Sequence, residues 1–187
     1  MSELELVLIV LSFIVGFGVN EILKGVVKLA KAPDWRSVDW IPVTWAVAIL
    51  IHQFQFWFGT LYMVEALGLS VAVFWLLIVL AVLLYLAGGL ILSSERKVDA
   101  RVPDARSDLR ALIPVTAYTF SAVLLNGGTG LGWLEPPVTM NVGLTVLSLA
   151  AFAIGRRAVR TGVTVAYLAL LLWGVLFVWS RPGSIVI

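Results

Sequence analysis

Six apolar runs, at roughly residues 6–26, 41–62, 70–92, 111–129, 138–155 and 163–180, divide this chain of 187 residues and leave little freedom in how it can fold. A helix needs about 20 apolar residues to cross the hydrocarbon of a bilayer. Lipid offers no hydrogen bonds to the backbone, so each N–H and C=O at that depth must be paired within the protein, and long continuous runs become helices. A transmembrane barrel would show alternating segments of about ten residues instead. Composition agrees: 61% of the residues are hydrophobic and 13% charged, where a soluble domain carries about a quarter charged residues. So few polar groups cannot cover an exterior that faces water. The expected fold is all-α, a polytopic membrane protein with six transmembrane helices in one domain over 1–187. The fourth and fifth runs are short and are expected to tilt little, or to lie beside a re-entrant segment.

Orientation follows from where the positive charge falls. Lys24, Lys28, Lys31 and Arg36 follow the first run; Arg96, Lys97, Arg101, Arg106 and Arg110 follow the third; Arg156, Arg157 and Arg160 follow the fifth. Of the 13 basic residues only Arg181 falls on the other side, with Glu3, Glu5, Glu65 and Glu135. Positively charged loops stay cytoplasmic, which predicts both termini outside and a cytoplasmic connector over 94–110, SERKVDARVPDARSDLR. The start, MSELELVLIVLSFIVGFGV, carries acidic rather than basic residues before a long apolar run, and reads as a permanent span rather than a cleavable signal. The outward stretch GGTGLGWLEPP (127–137) is expected to be an irregular loop. Trp35, Trp40, Trp133 and Trp179 fall near span boundaries, as an interfacial belt would.

The second run carries the most information. At 100° per residue, Thr44, Ala48, His52, Gln55, Gly59 and Tyr62 share an arc of roughly 80°, and Val47, Leu50, Phe54, Trp57, Phe58 and Leu61 occupy the opposite one. The first arc is expected to face the bundle and the second lipid. His52 is the one histidine of the chain and falls near the bilayer midplane, where an ionisable group is costly and by default suggests function. The competing reading is polar glue between helices. With no acidic residue expected at its depth, His52 should be a neutral, hydrogen-bonded imidazole, with Tyr118, Ser148, Thr145 and Gln55 as candidate neighbours.

The first run ends in GFGVNEILKG, where Gly16, Asn20 and Lys24 share a face. Glu21 reads either as an interfacial partner of Lys24 or Lys28 or as a carboxylate at the mouth of a cytoplasmic vestibule. Asn141, Thr145, Ser148 and Gly155 form a stripe on the fifth run, Pro114, Tyr118 and Ser121 on the fourth, and Ala81, Tyr85 and Gly88 on the third; the sixth offers Tyr167 and Gly174. Small and hydroxyl residues let transmembrane helices approach closely, so these stripes read as packing seams. Pro114 is expected to kink the fourth helix or open it locally. Candidates for a ligand or ion path are thus His52, Gln55, Thr44, Tyr62, Asn20, Glu21, Tyr118, Asn141, Thr145 and Ser148.

Several chemistries are excluded. With no cysteine and one histidine, disulfides, thiol catalysis and a multi-histidine metal site within one subunit are impossible. The sequence holds no paired aspartates within a span, potassium-type filter, nucleotide-binding fingerprint, EF-hand or HExxH. No catalytic set, metal or cofactor is expected. The expected partners are membrane lipids, a second copy of the chain and an unidentified small molecule or ion, with no nucleic acid.

Gly16, Gly18, Glu21 and Gly25 followed by Lys28 and Lys31, then Trp45, Ala46, Gln55, Phe56 and Trp57, then Leu84, Tyr85 and Leu86, resemble a widespread group of small bacterial integral membrane proteins. The similarity covers mainly residues 12–93. It implies a six-helix fold in the bacterial cytoplasmic membrane and no particular activity. The leading functional expectation is a small channel-like or transporter-like protein. The alternative is a non-transporting membrane component that docks a partner or senses lipid, with a membrane-embedded enzyme third.

Overall fold

The computed structural model describes residues 3–31, 39–92, 108–128, 134–154 and 156–178. Six helices run through them: α1 (Glu3–Ala30), α2 (Trp40–Leu67), α3 (Val71–Ile91), α4 (Leu112–Gly128), α5 (Pro136–Ala153) and α6 (Arg157–Trp173). A short 3₁₀ helix, Asp108–Ala111, leads into α4, and a π-helical turn, Gly174–Val178, prolongs α6. No strand occurs among the described residues. Five helical stretches are long and apolar enough to cross a membrane: Leu4–Ala30, Trp40–Leu61, Val71–Ile91, Pro136–Ala153 and Arg157–Phe177. α4, at 17 residues, falls just short of that length, whereas α6 reaches it through its π-helical continuation. The outside is as apolar as the inside, with Phe13, Phe17, Phe54, Phe58, Val71 and Trp75 all more than half exposed. Such a surface is a liability in water and ordinary in lipid. This is the architecture of a multi-pass membrane protein.

The helix ends have local causes. Asp39 caps α2 by accepting the Ile41 N–H at 3.2 Å, and its carboxylate lies 3.5 Å from Arg157, which ties the start of α2 to the start of α6. At the other end α2 stops at Gly68, whose φ of 69° favours glycine. Two residues later Ser70 caps α3, its Oγ accepting the Val73 N–H at 3.2 Å. Three residues therefore turn the chain from one span into the next.

Two expectations about proline need correction. The 127–137 stretch is not loop throughout: α4 runs to Gly128, and Pro136 and Pro137 open α5. Proline has no N–H to lose in a first turn, and its fixed φ suits that position. Pro114 does not sit mid-helix either. It falls in the first turn of α4, just after the chain has passed from 3₁₀ to α geometry. The connector, apart from Asp108–Arg110, and Trp35, Trp133, Trp179 and Gly155 lie outside the described residues.

Glycines set the closest approach. α1 lies along α3, and a Cβ on Gly25 would run into Leu92, while one on Gly88 would come within 3.0 Å of the Gly18 carbonyl. Near the far end of α6 a Cβ on Gly174 would strike Met140 of α5. Without a hydrophobic force between helices in lipid, close backbone contact of this kind supplies dispersion energy instead. Two apolar cores result. One, around Val7, Leu11, Leu77 and Leu84, joins α1 to α3. The other, around Trp45, Ile49, Leu112, Leu144 and Leu171, joins α2 to α4, α5 and α6.

Candidate functional site

The face that α2 turns inward is Trp45, Ile49, His52, Phe56 and Thr60, all buried. It meets a stripe on α6 made of Arg160, Thr164, Tyr167 and Leu171, also buried, at the spacing of one helical face. Hydrogen bonds cross this seam. The Trp45 indole Nε1–H donates to Thr164 Oγ1 at 3.1 Å. His52 Nε2 and the Tyr167 hydroxyl are 2.6 Å apart; the hydroxyl donates to a bare Nε2, or an Nε2–H donates to the hydroxyl oxygen. Trp45 lies against Tyr167 with ring centroids 4.4 Å apart. From α4, Tyr118 presents its ring edge-on to His52 at 5.4 Å, with Phe56 edge-on to Tyr118 at 6.5 Å. His52 is thus 2% exposed and walled by aromatic rings from α4 and α6.

Two amides follow His52 along α2, Gln53 and Gln55. Gln55 reaches toward His52, but its buried Nε2 has no acceptor in hydrogen-bonding geometry among the described residues. Gln53 is buried between α1, α2 and α3. Its Nε2 donates weakly to the Leu84 carbonyl at 3.4 Å, its Oε1 has no donor among the described residues, and it fills the space over Gly18.

Ser148 and Thr145 do not approach His52 as its hydrogen-bond partners, contrary to expectation. The hydroxyls of Thr116 and Ser148 are 2.9 Å apart and those of Thr119 and Thr145 3.0 Å, a ladder along the antiparallel α4–α5 seam. Asn141 Nδ2 donates to the Pro137 carbonyl and Thr44 Oγ1 to the Trp40 carbonyl, both within their own helices. Glu21 accepts from Lys24 at 2.8 Å near the surface. Asn20 lies on the exposed face of α1, away from the bundle. The Tyr62 side chain is outside the described residues. The predicted candidates are therefore not one site: His52, Gln55 and Tyr118 come together, and the others do not join them.

Sequence reasoning named Tyr167 as a seam residue of the sixth run but did not bring it to His52, and did not place Trp45, Thr164, Gln53 or Arg160 in the interior with it. The inward face of α2 is rotated by roughly 80° from the arc of small and polar residues, at 100° per residue. Thr44, Gln55 and Gly59 lie on its half-buried flank, as do Leu50 and Trp57 on the other side. The signal that could have found the partner is on α6, where Arg160, Thr164 and Tyr167 repeat at helical spacing among apolar residues. Among the described residues no group of three or more His, Cys, Asp or Glu could hold a metal ion. Comparison with protein-family models, with curated proteins and with solved structures finds no match, and the geometry itself is the basis for a functional reading.

Proposed function

We propose that this protein is a small channel-like or transporter-like membrane protein, with a polar path along the α2–α6 seam that is closed at the His52–Tyr167 bond. The observation that carries the reading is the buried Gln55 Nε2 donor, left without an acceptor among the described residues beside that bond. Packing alone tends to pair every buried polar atom, so an unspent donor in the bundle interior suits a passing or bound polar solute. Support comes from α6, where Arg160, Thr164 and Tyr167 carry polar groups inward over about 10 Å at 1.5 Å per residue. The clustering of basic residues on one side supports a cytoplasmic end of the path there, with both termini outside. The resemblance to small bacterial proteins makes the bacterial cytoplasmic membrane the setting.

The test is flux measured beside stability. Proteoliposomes with an imposed proton gradient, and others with an imposed potassium gradient, are expected to lose one of them faster than protein-free vesicles. His52→Ala and Tyr167→Phe should change that rate severalfold. If the wild-type rate equals the protein-free rate, or if His52→Ala keeps the flux while losing its melting transition, the pair is packing glue. The alternative, a non-transporting component that docks a partner or senses lipid, then replaces this reading.

A further inference from the structure

We propose that the outer face of α1 is a twofold interface with a second copy of this chain, the two α1 helices running parallel and in register. The basis is a seam that the protomer leaves uncovered. Ile9, Phe13, Gly16, Asn20, Leu23 and Val27 are all exposed, and they recur at alternating steps of four and three. That is the spacing by which two parallel helices interlock side by side. The opposite face of the same helix, with Leu11, Gly18 and Gly25, is already buried against its own bundle. α1 therefore has two apolar faces, and α2 and α3 cover one of them.

Asn20 identifies the occupant. It lies about 5 Å from the middle of Leu4–Ala30 at 1.5 Å per residue, and nothing among the described residues hydrogen-bonds its side-chain amide. Acyl chains offer such an amide neither donor nor acceptor, and an unsatisfied polar group in hydrocarbon is costly. Two copies inserted by the same loop charges are parallel, so Asn20 of one meets Asn20 of the other at the same depth. A carboxamide is both donor and acceptor and pairs with its own kind. A lone asparagine in such a seam also fixes register, because any slip sets it against an apolar residue. One turn earlier, a Cβ on Gly16 would meet nothing within 4 Å, which leaves room for a second backbone to come close. Charge does not oppose the contact: Lys24 at the edge of the seam is already paired with Glu21 at 2.8 Å.

The chain has no cysteine, so single-cysteine variants report on this face without background. In membranes under mild oxidation, Phe13→Cys, Gly16→Cys, Leu23→Cys and Val27→Cys are expected to give disulfide-linked dimers. Phe54→Cys and Trp75→Cys, equally exposed on other helices, should stay monomeric. Asn20→Leu should lower the association constant in bilayers about fivefold, the size of one interhelical hydrogen bond, and Asn20→Gln should restore most of it. Asn20 hydrogen-bonds nothing among the described residues of its own protomer, so these variants should melt like the parent. Cross-linking through α2 or α3 instead, cross-linking at none of the positions, or association indifferent to Asn20→Leu would each overturn the proposal.

Discussion

Between His52 and Tyr167 a single hydroxyl engages Nε2 of an imidazole that is 2% exposed. Removing it leaves the ring buried with an unpaired nitrogen, which costs more than the bond contributed. Tyr167→Phe should therefore lower stability in detergent by about 1–2 kcal/mol, read from chemical or thermal unfolding. Thr164→Val, which strips the acceptor from the Trp45 indole, should cost about 1 kcal/mol. The two bonds share the Trp45–Tyr167 ring contact, so the double variant should depart from additivity; strict additivity would mean that the two crossings act separately. At this scale the sequence was half legible. A lone histidine at mid-span depth stands out whatever surrounds it. Its partner did not, because α2 faces inward with Trp45, Ile49 and Phe56, bulky residues that composition alone assigns to lipid. Gln53 was hidden for the same reason: it occupies neither of the arcs drawn around His52, and its burial depends on Gly18 of a different helix.

Among the elements, the spans were legible and their ends were not. An apolar run announces how long a helix can be, whereas its termini depend on caps and on what the next helix touches. α1 and α2 each run to 28 residues, past the apolar stretch into positions that the bilayer does not dictate. The pair Pro136–Pro137 reads as a breaker in isolation and acts as a start because a first turn has no use for the N–H that proline lacks. The glycines divide by the space around them. Gly68, with φ at 69°, should lose about 1 kcal/mol on substitution by alanine, and Gly25→Ala should also destabilise because it would push on Leu92. Gly89 has nothing within 4 Å of a new Cβ, so Gly89→Ala should be neutral or stabilising by up to about 1 kcal/mol. Melting of the three variants side by side checks this order, and a destabilised Gly89→Ala would show that helix α3 has a neighbour on that side.

For the whole molecule, the basic residues at one end of the bundle predict a topology that fusions can read. A reporter that fluoresces only in the cytoplasm should be bright when inserted near positions 30, 100 and 158, and dark when fused after Ile187. Brightness at the last position would invert the arrangement, and with it the direction of the polar stripe on α6. The helices also differ in height. Leu4–Ala30 spans 27 residues, about 40 Å, and Leu112–Gly128 spans 17, about 26 Å. α1 packs on α2 and α3, and α5 on α4 and α6, so the tall helices and the short ones occupy opposite flanks. A flat bilayer with a hydrocarbon layer of about 30 Å matches neither length: α1 has to lean, and beside α4 only the 3₁₀ turn Asp108–Ala111 makes up the shortfall. Each ångström of misfit costs a fraction of a kcal/mol. Lipid chain length thus becomes a mechanical input to the bundle, with short-chain lipids relieving one flank while they expose the other.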